Sequence, residues 1–129
     1  MQITKALIID TPHIDNILSG IKSWEMRSKK TKIRGHVALI RKKSGTIIGI
    51  AEITDSLEPL SDKEMLASKA KHRIDDETLA DPRTIKWRFP WVMANAKKLR
   101  NPVPYEHPNG AVIWVALDDA TQREVQRNI

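Results

Sequence analysis

The chain contains no cysteine. A disulfide framework, a thiolate nucleophile and any zinc site that needs Cys ligands are therefore excluded. Aromatic residues are few, with four Trp, one Tyr and one Phe among 129 residues. A membrane-spanning helix needs about 20 consecutive apolar residues, and no such run occurs. The first ten residues, MQITKALIID, lack the basic start, apolar stretch and small-residue cleavage site of a secretory signal, so the expected location is the cytoplasm. His13, His36, His72 and His107 show no paired ligand spacing, and there is no Gly-rich phosphate loop. Neither a metal nor a cofactor is expected. Asp75-Asp76-Glu77 reads as a solvated helix start.

Cationic side chains, by contrast, are plentiful. Lys and Arg total 22 against 16 Asp and Glu, a net charge of +6 and a pI near 9.7. Such a balance attracts polyanions such as nucleic acid, and it also serves solubility. Hydrophobic residues are 40% and charged residues 29% of the chain, as in soluble globular proteins. The length suits one domain, read as residues 1–129.

Periodicity places the elements. Residues 3–10 read as a strand. Thr11 is placed to cap a short helix, with Pro12 in its first turn and Gly20 at its left-handed stop. Ile14, Ile17 and Leu18 form its buried stripe. Residues 22–27 return as a strand, with Trp24 and Met26 on one face and Ser23, Glu25 and Arg27 on the other. Strands over 36–43 and 46–55 flank the turn Ser44-Gly45. Ser61 and Glu64 form a capping box that opens a helix over 62–72. Residues 75–90 read as a helical turn and a loop. Strands over 91–99 and 111–117 are joined by a turn-rich 101–110, and 118–127 is a polar helix. Without regular βαβ alternation, the fold class is α+β, a small, mostly antiparallel β-barrel with short flanking helices.

The densest polar group is Gly20-Ile21-Lys22-Ser23-Trp24-Glu25-Met26-Arg27. Glu25 and Arg27 share a strand face, where they either pair on the surface or reach together into a cleft. Lys22 and Arg27 suit phosphate, and Arg can hold it through two parallel hydrogen bonds. A carboxylate at Glu25 can orient a base edge or a water. Lys29, Lys30, Lys32 and Arg34 come directly after it. With Arg41-Lys42-Lys43 and Lys97-Lys98-Arg100 they make either a backbone track for a single strand or scattered solvated charges. Trp87 is the aromatic best placed to stack on a base. Trp24 suits a cleft wall, whereas Trp91 and Trp114 suit the core. Tyr105 either donates a hydrogen bond into the cleft or packs the turn after Pro104.

Gly20-x-Lys22-x-x-Glu25-x-Arg27 after a capped helix, then the Gly45-Thr46-x-x-Gly49 hairpin, resembles the ASCH domain of the PUA-like superfamily. Trp91-Val92-Met93-Ala94-Asn95-Ala96, then Leu99, Pro102-Val103-Pro104-Tyr105 and Gly110, resembles the family's later segment. The resemblance runs from about Lys5 to Leu117. It implies a β-barrel with a cleft lined by Lys22, Glu25 and Arg27, and single-stranded RNA or a nucleotide as partner. It implies roles for those three residues in binding or catalysis: Lys22 at a phosphate or carbonyl, Glu25 as acceptor or base, Arg27 on a phosphate or fixing Glu25. Some ASCH proteins are similar to hydrolases of N4-acetylcytidine, which use a Lys base and a Thr three residues on. Here that Thr position is Glu25, and Ser23 is the hydroxyl nearby. Other members are ribonucleases. The resemblance thus implies an RNA-binding module, or alternatively a hydrolase using the same cleft.

Overall fold

The computed structural model describes residues 2–129. Its strands are β1 (Lys5–Ile9), β2 (Trp24–Arg27), β3 (Gly35–Arg41), β4 (Thr46–Ser56), β5 (Phe89–Pro104) and β6 (Trp114–Ala116). They form one curled sheet in the order β2-β5-β4-β3-β1-β6. The β1–β3 pair is parallel and the other four pairings are antiparallel. The result is an α+β half-barrel with short helices around it, the class expected from the residue pattern.

The Val- and Ile-rich runs are apolar at nearly every position because both faces of the sheet are covered. Ala6, Ile8, Ile40 and Ile50 pack in one cluster, closed by Val125 of α5 (Asp119–Arg127). Leu7, Ile9, Leu39 and Ile53 pack in the other, closed by Ile14 and Ile17 of α1 (His13–Leu18). Trp91, 2% exposed, fills the second cluster and stacks on Trp114 at 5.9 Å between ring centroids. Trp114 is only half-buried.

Several local expectations are corrected. Thr11 does not cap α1, whose N-cap is Pro12 without a side-chain bond. The Thr11 amide instead donates to Asp10, and its hydroxyl accepts from Arg41. Gly20 does sit left-handed, at φ 86°. The turn between β3 and β4 spans residues 42–45, with both Lys43 and Gly45 at positive φ. The helix expected over 62–72 opens with the Ser61–Glu64 capping box but breaks into α2 (Asp62–Ala67) and α3 (Lys69–His72). The break has a cause. The Met65 carbonyl accepts the His72 imidazole Nε2–H at 2.8 Å and the Ser68 amide, so the continuing helical bond is displaced. Next along the chain are α4 (Asp76–Ala80) and a 3₁₀ turn (Pro82–Thr84).

β5 overrides the expected turn at its far end. Pro102 and Pro104 stay in the strand because β2 pairs only as far as Val92. Beyond it the outer edge of β5 has no strand partner among the described residues, and a proline there breaks no second ladder. The segment 111–117 contributes only three strand residues.

Gly49 shows why a motif glycine is required. A Cβ at this position would run into Leu18 Cδ2 and would sit 3.0 Å from the Lys97 carbonyl oxygen. Gly49→Ala is therefore expected to destabilise the fold by about 1–3 kcal/mol in denaturant unfolding. The cost should shrink in a Leu18→Ala background. An equal cost in both backgrounds would contradict the close approach.

Candidate functional site

The left-handed turn at Gly20 returns the chain toward α1, where the Asn16 carbonyl accepts both the Ile21 and Lys22 amides at 3.1 and 3.0 Å. Two further bonds anchor the start of β2: Ser23 donates to the Lys71 carbonyl at 3.0 Å, and Met93 donates to the Ser23 carbonyl at 2.7 Å. Lys22 is thereby driven inward, to 2% exposure. Its ammonium donates to the His72 carbonyl and lies 3.9 Å from Glu25 Oε1.

Glu25 is buried as well. Its Oε2 accepts from Arg27 Nη2 at 2.8 Å and from Nε at 3.2 Å. Arg27 Nη2 also donates to the Ile8 carbonyl at 2.8 Å, and the guanidinium lies 5.4 Å from the Trp91 ring centroid. β2 is one edge of the sheet and β1 lies next to the other edge. Arg27 thus ties the open seam of the half-barrel. Among the described residues Arg27 Nη1 has no hydrogen-bond acceptor, and Glu25 Oε1 accepts no hydrogen bond.

These three side chains line a cavity of about 260 Å³. Ile8 and Met26 of the sheet lie on one side of it. Met65, Ile74 and Leu79 lie on the helical side, with Thr78 and Thr84 among them. Trp87, 42% exposed, also borders it, as do Lys42, Val112 and Asp10. Its charged lining is three cations and two carboxylates. The volume lies just below the roughly 300–1,000 Å³ of pockets that hold drug-sized ligands. A hollow of that size suits a small ligand or one unit of a larger one better than an extended strand.

Desolvation dominates the electrostatics. Burial lowers the Lys22 pKa from 10.5 to about 8, partly offset by Glu25 and reinforced by Arg27. His72 is fully buried, with Nε2 donating to Met65 and Nδ1 accepting the Ile74 amide at 3.0 Å, the pattern of a neutral ring. Burial lowers its pKa too. His13 lines the cavity and carries the one buried side-chain polar atom without a partner among the described residues, Nδ1. Burial, then the neighbouring Lys22, lower its pKa. Lys42 belongs to the 41–43 basic run already named from the sequence, whereas His13 and Asp10 were not singled out for this site. The polar residues closely flanking Thr11-Pro12 were the available signal.

The remaining candidates lie elsewhere. Lys29, Lys30, Lys32 and Arg34 do not line the cavity. Lys30 pairs with Glu58 at 2.6 Å and Arg34 with Asp55 at 3.6 Å, while the Lys29 carbonyl accepts the Trp91 indole N–H. Arg41 is held by Asp15. Trp24 is half-buried under the Lys71 ammonium, 4.7 Å from the ring centroid, outside the cavity. Ser23 is exposed and does not border the cavity either. Tyr105 borders a neighbouring cavity.

Lys22 titrates differently in the two states, so stability depends on pH. Between about pH 8 and 10.5 the unfolded chain holds a proton that the folded chain has released, and stability rises with pH across that window. At about 1.36 kcal/mol per pH unit the rise approaches about 3 kcal/mol. Urea unfolding of wild type and Lys22→Met from pH 7 to 11 should show the difference moving in favour of wild type by that order. A difference that stays constant with pH would contradict a Lys22 pKa lowered by burial.

Comparison with known proteins agrees with this architecture. The family model for the ASCH domain matches residues 7–103. The fold superposes on the crystal structure of ASCH from Zymomonas mobilis with a TM-score of 0.72 and 10% identity, covering 95% of this chain and 93% of that one. A tyrosine-to-phenylalanine mutant of the Zymomonas mobilis protein superposes with a TM-score of 0.69 and 8% identity over 95% and 96% of the two chains. A serine-to-alanine mutant superposes at 0.64 and 10% identity over 98% of each chain. No curated protein matches. The structures share the fold, and the family model spans the Lys22–Arg27 segment, the β3–β4 hairpin and nearly all of β5: the chain belongs to the ASCH domain family.

Proposed function

We propose that this ASCH protein binds RNA by taking one nucleotide of a single strand, or a free nucleotide, into the cavity floored by Lys22, Glu25 and Arg27. One observation carries the reading. The cavity joins apolar walls to unspent polar atoms of both kinds: donors on Arg27 Nη1 and Lys22, an acceptor on Glu25 Oε1, and His13 Nδ1, which has no partner among the described residues. A nucleobase has the same make-up, two apolar faces and an edge of alternating donors and acceptors. Trp87 at the rim offers a stacking surface, which is worth about 1–3 kcal/mol per base. The cluster also holds two cations against one carboxylate, so an anionic or carbonyl oxygen is welcome there.

A hydrolase in the same cavity is the second reading, favoured by a lysine held near pKa 8 within 3.9 Å of a carboxylate. A neutral amine of that kind is suited to general-base work. With Glu25 in place of the Thr nucleophile and Ser23 outside the cavity, water is the nucleophile that Lys22 would activate.

Titration of a short fluorescent single-stranded RNA tests the first reading. Arg27→Met and Glu25→Gln should each weaken binding about tenfold or more. Few cations border the cavity, so log K should fall with log salt at a slope of about −1 to −2, given about −0.7 per phosphate neutralised on single strands. A slope steeper than about −3, with no effect of either substitution, would place binding on the surface lysines instead. For the second reading, turnover of RNA or N4-acetylcytidine should rise with pH through about 8 and vanish in Lys22→Met. Turnover that survives in that variant would remove Lys22 as the base.

A further inference from the structure

A second cavity, of about 410 Å³, lies against the first, and Ile8, Lys42 and Val112 border both. Val112 is 75% exposed, an apolar residue left open where the two hollows meet. Lys42 is held only loosely, its ammonium 3.9 Å from Asp10. The second cavity adds Lys43, Tyr105 and His107. Lys43 is exposed on the 42–45 turn and forms no ion pair among the described residues. Tyr105 and His107 are locked to each other. His107 Nε2 lies 2.9 Å from the Ala111 carbonyl, which can only accept, so Nε2 carries the proton. In the neutral ring Nδ1 then accepts from the Tyr105 hydroxyl at 2.7 Å. The two rings meet edge to face, 5.7 Å apart. This is a preset aromatic corner beside two lysines, and the first cavity makes no use of it.

We propose that the second cavity is a subsite for an adjoining nucleotide, so that the ligand is a segment of at least two linked nucleotides. The proposal rests on the nucleotide reading of the first cavity. One base occupies the Lys22–Glu25–Arg27 cavity. The linking phosphodiester crosses Val112 against Lys42. The neighbouring nucleotide enters the Tyr105–His107 corner, where Lys43 meets its far phosphate. Phosphate on lysines is a point-charge contact, while the rings supply stacking surface. The free lone pairs of the Tyr105 hydroxyl accept from a sugar hydroxyl or a base amino group.

Calorimetric titration with a ribonucleoside monophosphate, a ribodinucleotide and a nucleoside triphosphate tests this. The dinucleotide should bind wild type about tenfold or more tightly than the monophosphate. That ratio should fall to about threefold or less in Lys43→Ala, and also in Tyr105→Phe combined with His107→Ala. Thermal melts of the variants confirm that they fold. Equal affinity for monophosphate and dinucleotide in wild type would overturn the subsite while leaving the first cavity as the binding site. A triphosphate that gains as much as the dinucleotide, with only Lys43 mattering, would also overturn it, in favour of a polyphosphate tail. Binding of none of the three would remove the nucleotide reading, and the subsite with it.

Discussion

The guanidinium of Arg27 holds the arrangement together. It bonds at once to a carbonyl on β1 and to a carboxylate on its own strand, and it lies near the face of the core tryptophan Trp91. A half-barrel with an unpaired seam needs such a tie, because β2 and β1 share no ladder. The same bond fixes the Glu25 side chain in a confined space, and that carboxylate in turn offsets part of the cost of burying the Lys22 ammonium. Removing one partner of a buried ion pair typically costs about 3–5 kcal/mol, whereas replacing a whole buried group by apolar residues is often neutral or stabilising. Stability alone does not call for this trio. Its cost is understandable if a ligand completes its hydrogen bonds.

The helical side of the cavity depends on a second buried device. His72 breaks the helix after α2 by taking the Met65 carbonyl, and the backbone carbonyl of His72 then receives Lys22. One histidine therefore shapes the helical side and positions the Lys22 amine on the other. Protonation of that ring would cost it the Ile74 amide bond, so the arrangement is matched to a neutral imidazole.

Much of this was legible in the sequence. The hairpin strands, the Ser61 capping box, the glycine stop at Gly20 and the clustering of Lys22, Glu25 and Arg27 arise from local spacing, and the family motif carried the fold. What escaped was set by distance along the chain. Lys22 and His72 are 50 residues apart, and nothing local joins them. Prolines at 102 and 104 signal a turn unless the strand edge is known to be free. The charge of +6 suggested a basic track. Yet Lys30, Arg34 and Arg41 are matched by Glu58, Asp55 and Asp15, carboxylates 28, 21 and 26 positions away. Composition counts cations without showing which are already paired. The spacing of His13 in the sequence points to no role, because its orphaned nitrogen becomes visible only beside Lys22.

The most direct measurement is a crystal structure of the protein soaked with a ribonucleoside monophosphate. The base should be seated between Met26 and the helical wall, with its polar edge within hydrogen-bond distance of Arg27 Nη1 and Glu25 Oε1. A ligand seated along residues 29–34, with the cavity holding only water, would contradict a nucleotide site built on Lys22, Glu25 and Arg27.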